Sequence, residues 1–330
     1  INFINYQIKS LLKEIDRTNL EKYFCGLFGG FLGGLAVSSN AWIICMPISL
    51  AIMWSNFDKK GSNFLWGFAF VIVSHCWILY LHPLTWLGFS WISSILATSV
   101  ILIICSFLGG GLVMAWGLCA SQILNKRNIS YLSSSQLFIK VFFLSTLWGV
   151  GELILSQSPY YWIGLGEGLI PGDLLLAGMA KWIGARGLSV LQICFGFWLF
   201  FIYFKWKKKL NFQKTLFAGL ILLVVFHFLG ATLIQTQLRN SPYPIAIWQT
   251  NIPTKDKLTL HNQQVHEKFV LAQKEALKTE AKILVAPEGT TKNNFKFIFG
   301  SRIDTLTGGF RLGKNGMRSS LLAFKKGNES

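Results

Sequence analysis

Long apolar stretches separated by short basic clusters constrain this sequence more than any other feature. A helix needs roughly 17 to 25 mainly apolar residues to cross a bilayer. The chain offers seven such stretches, at residues 24–39, 40–56, 64–82, 91–122, 134–156, 187–204 and 213–235. Hydrophobic residues make up 52% of the chain and charged residues only 14%, which excludes an ordinary soluble domain. The sequence therefore predicts a polytopic α-helical membrane domain over residues 24–236, with about seven transmembrane helices.

The basic clusters predict the orientation of these helices. Lys59-Lys60, Lys126-Arg127 and the run 205–209 lie between predicted spans, and the segment 1–23 is also basic. If successive spans alternate in direction, all four clusters fall on one face, which the positive-inside rule makes cytoplasmic. Residues 1–23 are then a cytoplasmic segment, and the chain beyond about residue 236 lies outside the cytoplasm. The net charge of +17 reflects these clusters, and because no nucleic-acid motif accompanies it, no nucleic-acid partner is expected.

Few ionisable groups interrupt the apolar stretches, and each is a functional candidate by default. They are His75, Glu152 and His227. Packing is the expected role of both histidines. For Glu152, which is close to the polar loop at 156–159, a functional role and a position at the membrane interface both stay open.

Small residues and cysteines in the apolar part predict helix packing rather than chemistry. The pairs Gly29-Gly33 and Gly30-Gly34 and the run Gly109 to Gly111 have spacings that allow close helix contact. All six cysteines lie in apolar stretches and are expected to be core residues. His261 and His266 do not have the spacing of a helical zinc pair, so no metal and no cofactor is expected.

From Pro242 the pattern changes to that of an α/β domain. A strand is predicted within 244–253, an amphipathic helix over 257–282 and a second buried strand from 283. Five residues are predicted to form the buried face of the helix: Val265, Phe269, Ala272, Ala276 and Leu277. Two parallel strands joined in this way end at the same sheet edge, where open α/β sheets place their sites. Glu288 follows the second strand at this edge, either as a general base or as a surface carboxylate.

Two further strand-like runs, "TLTGGFRL" and "MRSSLLAFKK", are joined across "GKNG". The Asn315-Gly316 pair predicts a hairpin turn, and a second layer of sheet could begin there. Residues 242–330 are thus expected to form a partial domain, poorly stable alone because its sheet edges are unpaired.

Three motifs of this C-terminal part resemble a known family. Gln249-x-Asn251-Ile252-Pro253, the amphipathic helix and the run 284–288 are similar to the opening of the nitrilase-type carbon–nitrogen hydrolase domain, an αββα sandwich. Placed behind membrane spans, they resemble the apolipoprotein N-acyltransferase family. "LWGVGELI" (147–154) and "PYYWIGLGE" (159–167) are similar to the Leu-Trp, Glu and Pro-x-x-Trp pattern that precedes the periplasmic arm of that family.

The resemblance implies a multi-pass enzyme of the bacterial cytoplasmic (inner) membrane with its nitrilase-like part on the periplasmic side. Such an enzyme moves an acyl chain from a phospholipid donor, through a cysteine thioester, to the N-terminal diacylglyceryl-cysteine of an apolipoprotein acceptor. Glu288 matches the general base, and a lysine stabilises the tetrahedral intermediates. Glu152 and Trp162 match positions of the membrane arm.

The chain also departs from the family pattern. No cysteine follows Cys194, and Lys325 and Lys326 lie in the wrong context for the family's lysine. The family's last span is absent, and Gly289-Thr290-Thr291 replaces the usual residues after the glutamate. The sequence is therefore expected to be a C-terminally truncated fragment, inactive alone. A non-catalytic membrane scaffold or transport component, or a membrane nitrilase-like amidase, remains as an alternative.

Overall fold

The computed structural model describes residues 20–38, 42–126, 128–157, 163–170, 172–234, 243–251, 262–287, 302–313 and 316–327. The chain forms two compact units. The first combines Ile1–Leu79 with Leu96–Gln237 and is helical where it is described, and the second combines Tyr80–Ile95 with Leu238–Ser330 and contains the sheet.

Helices occupy every predicted apolar stretch. They are α1 (20–36), α2 (Cys45–Ser55), α3 (Lys60–Ser74), α4 (Trp91–Ile123), α5 (Ser134–Ser156), the short α6 (Leu174–Ala177), α7 (Ala180–Lys207) and α8 (Gln213–Ile234). Within the described ranges, four of them (α4, α5, α7 and α8) are long and apolar enough to cross a membrane. The chain is thus a multi-pass membrane protein, and a total of seven spans stays a prediction.

Two helix boundaries show the largest differences from those predicted. The third span was expected to run to residue 82, but α3 ends at Ser74 and 3-10 turns follow at Cys76–Leu81 and Thr85–Leu87. Pro83 lacks a backbone donor and restricts the residue before it, so an α-helix is unfavourable there. The sixth span was expected to begin at residue 187, but α7 begins at Ala180 and contains a break at Gly184.

Buried tryptophans join the helices of the first unit. The indole N–H of Trp54 donates to the Ile193 carbonyl at 3.0 Å, and that of Trp116 donates to the Leu144 carbonyl at 3.0 Å. The ring centroids of these two tryptophans lie 4.9 Å apart in an edge-on contact. Because a bilayer offers no water to satisfy an indole N–H, each bond adds a polar link between helices that otherwise meet through apolar side chains.

Glycines bring α1 and α3 into backbone contact. A Cβ atom on Gly30 would overlap the carbonyl oxygen of Trp66, and one on Gly26 would overlap the carbonyl oxygen of Ser62. The predicted close packing at Gly29, Gly30, Gly33 and Gly34 is therefore confirmed. In the second predicted set, Gly109 and Gly110 also contact α3, whereas nothing lies within 4 Å of a Cβ on Gly111.

Gly30→Ala is therefore expected to destabilise the protein by about 1–3 kcal/mol, because the added methyl group forces α1 and α3 apart. Gly111→Ala is the matched control. It makes the same change in an apolar helix where space is open, and it should be neutral or stabilising by up to roughly 1 kcal/mol. Thermal unfolding of both variants in detergent micelles measures the difference, and equal unfolding temperatures would contradict close packing at Gly30.

A mixed sheet forms the core of the second unit. Its strands are β1 (Ile245–Ile247), β2 (Ile283–Ala286), β3 (Asp304–Gly313) and β4 (Gly316–Phe324), in the spatial order β1-β2-β3-β4. The pairs β1–β2 and β2–β3 are parallel, and β3–β4 is antiparallel. The predicted parallel pair and hairpin are confirmed. The expected second layer of sheet is wrong, because β3 pairs directly with β2 and so covers an edge that would otherwise be open.

Helix α9 (Asn262–Lys278) connects the first two strands and packs on the sheet. Phe269 and Ala276 are buried with Leu284 of β2. Leu277, predicted to be buried, is 39% exposed, and Gln273 is buried instead. Residues 269, 273 and 276 repeat at the four- and three-residue spacing of one helix face, and Leu277 lies just outside that face. The first strand is also shorter than predicted, with three residues.

Candidate functional site

Glu152 is the predicted site residue that the structure describes. Glu288 and Trp162 lie outside the described residues. In the sequence Glu288 comes two positions after the end of β2 at Ala286, and Trp162 directly precedes the described loop that begins at Ile163. The site geometry below therefore concerns Glu152 and its neighbours in the first unit.

The carboxylate of Glu152 is buried, with 2% of the residue exposed, and it accepts four hydrogen bonds. One oxygen accepts from the Trp148 indole N–H at 2.9 Å and from the Leu165 backbone N–H at 2.9 Å. The other accepts from the Ser189 hydroxyl at 2.5 Å and from the Arg186 guanidinium at 3.2 Å. Trp148 is one turn before Glu152 on α5, so the two side chains share a helix face. Buried charge requires such partners, and here each oxygen has two.

Arg186 links Glu152 to a second carboxylate. Its Nη1 lies 3.2 Å from Glu152 and its Nη2 lies 2.9 Å from Glu167, which has a more exposed side chain at 42%. Gly164 packs directly against the Arg186–Glu167 pair, since a Cβ atom on Gly164 would overlap both the guanidinium and the Glu167 carboxylate. A cation between two anions thus connects the buried interior to the edge of the loop at 163–170.

The same loop is held on α7 by neutral groups. The Gly166 backbone N–H donates to the Ser189 hydroxyl at 2.8 Å, and the Gln192 amide donates to the Leu165 carbonyl at 2.6 Å. Gln192 is itself buried, and within the described part of the chain its Oε1 has no hydrogen-bond partner. Both backbone groups of Leu165 are therefore bound by side chains, one from α5 and one from α7.

A break in α7 accompanies this arrangement. Gly184 has φ 66° and ψ 175°, a conformation that is essentially restricted to glycine. Beyond the break, Arg186, Ser189 and Gln192 recur every three residues and lie along one side of the helix. Sequence reasoning missed all three and Glu167. The available signal was this polar spacing at the start of an otherwise apolar helix.

His227 also has a partner that sequence reasoning missed. Its Nε2 lies 2.9 Å from the Asp173 carboxylate, and its Nδ1 lies 2.7 Å from the Leu223 carbonyl oxygen. The other Asp173 oxygen accepts from the Leu176 N–H at 3.0 Å and caps α6. Gly230 on α8 contacts the Leu175 carbonyl so closely that a Cβ atom would not fit. The pair thus fixes α6 on α8, which is a structural role.

His75 has a comparable role at the end of α3. It is buried, and its Nδ1 lies 2.8 Å from the Ser74 hydroxyl. That hydroxyl in turn donates to the Phe70 carbonyl at 2.7 Å, so the histidine Nδ1 is the donor in the first bond. The packing role predicted for this histidine agrees with these contacts.

The arrangement around Glu152 is suited to holding a loop in place. The carboxylate is buried and its oxygens are occupied by donors from α5, α7 and the loop, which leaves little room for direct contact with a substrate. What it fixes is the segment 163–170, which continues from Trp162. The contacts of Glu152 therefore hold the loop at 163–170 against α5 and α7.

Comparison with known proteins connects this chain to one group of enzymes. It is 54% identical to "Apolipoprotein N-acyltransferase" of Prochlorococcus marinus subsp. pastoris over 94% of its length, and 36% identical over 96% to the protein of that name from another Prochlorococcus marinus strain. The protein of the same name from Parasynechococcus marenigrum is 33% identical over 90% of the chain. The chain spans 62%, 64% and 61% of these three relatives. No family model matches the chain.

Proposed function

The chain belongs to the apolipoprotein N-acyltransferase family, and from this we propose that it contributes the membrane domain and the first catalytic position of an enzyme that acylates lipoproteins. The acyl chain would come from a phospholipid, and the acceptor would be the amine of an N-terminal diacylglyceryl-cysteine. The observation that carries this proposal is the 54% identity across 94% of the chain.

A nitrilase-like catalytic domain is part of the proposal. Its support is the parallel pair β1–β2 connected by α9, extended by β3 and β4 into one sheet. Glu288 follows β2 in the sequence, and the carboxyl ends of parallel strands are where open α/β sheets place their sites. Residues 242–330 are proposed to form the first part of this domain on the periplasmic side of the bacterial inner membrane.

The proposed reaction has two half-reactions. A cysteine thiol loses its proton to Glu288 and attacks the ester carbonyl of the phospholipid, so that a thioester forms and the lysophospholipid leaves with that proton. The amine of the acceptor then attacks the thioester, an amide forms, and the thiol is regenerated while Glu288 relays the amine proton. A lysine stabilises the oxyanion in both steps.

The residues that would act with Glu288 are not identified in residues 1–330. Cys194 is the last cysteine of the sequence and lies within α7, and Lys325 and Lys326 follow β4. We therefore propose that a polypeptide of residues 1–330 does not form an acyl-enzyme by itself. In the membrane domain, Glu152 is proposed to hold the described loop at 163–170, which follows Trp162 in the sequence.

Acyl labelling tests the proposal. The complete product of the gene and a polypeptide of residues 1–330 are incorporated separately into vesicles that contain a phospholipid with a labelled acyl chain. We expect a hydroxylamine-labile label on the complete product, passage of that label to a diacylglyceryl-cysteine peptide, and no label on residues 1–330. A complete product that never acquires label would exclude acyl transfer from phospholipid and favour a scaffold or transport role. Hydrolysis of an amide substrate without acyl transfer would favour an amidase.

A further inference from the structure

An apolar groove runs along the outside of the helical unit between α1 and α3. It has a volume of about 370 Å³ and is lined by Phe24, Leu27, Phe28, Phe31, Phe68, Ala69, Ile72 and Val73. Every lining side chain is apolar, and three of the four lining phenylalanines, Phe24, Phe28 and Phe31, are exposed. The groove therefore opens on the outer surface of the helical unit.

The contact between the helices explains why the groove exists. Gly26, Gly30 and Gly34 place the backbone of α1 directly on α3. Because glycine has no side chain, the larger residues on either side of the contact are separated, and the groove lies between them. The groove thus results from the glycine contact, and it lies beside the part of α1 that faces away from the core.

The dimensions of the groove fit one lipid chain in one leaflet. Phe24 and Phe31 are seven residues apart, which corresponds to about 10 Å along a helix. One leaflet contributes about 15 Å to the hydrocarbon core. The groove therefore covers about two thirds of the depth that an acyl chain occupies.

Positive charge collects at one end of the groove. The Ser62 hydroxyl donates to the Lys22 carbonyl at 2.9 Å, so the start of α1 lies against the start of α3. This contact brings Lys22 to the helix end that carries Lys59 and Lys60. Tyr23 packs its ring against Gly61, and tyrosine is typical of the headgroup level.

The negative charge of the carboxylates at this end of the groove is smaller than the positive charge of the lysines. Within the described residues, this end carries four lysines, at positions 22, 59, 60 and 126, and two carboxylates, Glu21 and Asp58. Burial would raise the pKa of Asp58, but Lys126 at 3.1 Å and Lys59 at 3.4 Å hold this pKa below its ordinary value. Asp58 is therefore ionised at neutral pH and already paired, and the end of the groove keeps a net positive charge.

We propose that this groove binds one anionic glycerophospholipid, with an acyl chain along the phenylalanines and the phosphate beside Lys22 and Lys60. An apolar lining alone would accept any lipid chain. The lysines at one end select for negative charge in the headgroup, because each lysine near the headgroup level attracts anionic lipid. The bound lipid is a structural ligand of the membrane domain and is separate from the proposed acyl donor at the nitrilase-like part.

Native mass spectrometry of the full chain in detergent tests the proposal. We expect one phosphatidylglycerol to be retained with roughly tenfold higher affinity than phosphatidylcholine. The double substitution Lys22→Gln with Lys60→Gln should remove this preference, and Ala69→Trp should reduce retention of both lipids by filling the groove. Lys207→Gln with Lys208→Gln, at the exposed end of α7, is the matched control and should keep the preference.

Equal retention of the two lipids by the unmodified chain would overturn the proposal, and so would an undiminished preference in the Lys22 and Lys60 double variant. Loss of the preference in the Lys207 and Lys208 control would also overturn it, because general surface charge would then explain the selectivity. The comparison of the two lipids on the unmodified chain decides the matter even if Ala69→Trp fails to fold. The result is independent of acyl labelling, so failure here leaves the proposed enzymatic function standing.

Discussion

Glu288→Gln is expected to lower the rate of acyl transfer by about 10²- to 10⁴-fold in the complete product of the gene. The proposed role of this carboxylate is to take a proton from the thiol in one half-reaction and from the amine in the other, and general base catalysis contributes a factor of that size. Glutamine has nearly the same shape but cannot accept the proton. The measurement is the rate of hydroxylamine-labile labelling, followed by the rate of label transfer to the acceptor peptide.

Two further variants separate loss of the base from a general disturbance of the domain. Glu288→Asp keeps the carboxylate but withdraws it by one methylene, and an intermediate rate is expected. Glu275→Gln changes an exposed glutamate of α9 that pairs with Lys278 at 2.7 Å, and its rate should match the unmodified protein. A Glu288→Gln rate within threefold of the Glu275→Gln rate would assign the base to another residue.

Glu152→Ala is expected to destabilise the membrane domain by roughly 3–5 kcal/mol, because it breaks a buried ion pair and leaves buried donors without an acceptor, while Arg186 keeps only its pairing with the more exposed Glu167. The Trp148 indole, the Ser189 hydroxyl and the Leu165 backbone N–H lose their shared acceptor at the same time. Unfolding of the purified protein by heat in detergent micelles gives the size of the effect. Glu152→Gln, which retains one acceptor oxygen, should fall between the alanine variant and the unmodified protein.

Glu167→Gln is the control for charge alone. It removes the outer carboxylate of the same ion pair system, but this group is 42% exposed, so a loss of at most about 1 kcal/mol is expected. Similar losses for Glu152→Ala and Glu167→Gln would contradict the view that the buried carboxylate organises the loop. At a temperature where both variants remain folded, a lower kcat for Glu152→Gln with unchanged KM would indicate that the loop positions a group needed in the reaction.

The sequence by itself determined the class of the protein and the order and approximate positions of its helices and strands. Apolar stretches of bilayer length can satisfy their backbone groups only as helices, so their positions were readable directly, and α5 has the predicted bounds, Ser134–Ser156. The βαβ unit and the hairpin were predicted from alternation, helical spacing and the turn signal of the Asn315-Gly316 pair in the sequence. Motifs in the run 284–288 and around Glu152 indicated the family that the comparisons then showed.

Tertiary structure alone decided which residues meet. The partners of Glu152 come from α5, from the loop at 163–170 and from α7, up to 37 positions away in sequence. Their pairing depends on the break at Gly184 and on the packing angle of two helices, which no local pattern encodes. Likewise, Leu277 and Gln273 are adjacent in the helical pattern, and only the position of the sheet decides that the polar residue is buried and the apolar one exposed. Local periodicity fixes where a helix begins and which residues share a face, whereas the choice of neighbours depends on contacts between distant segments.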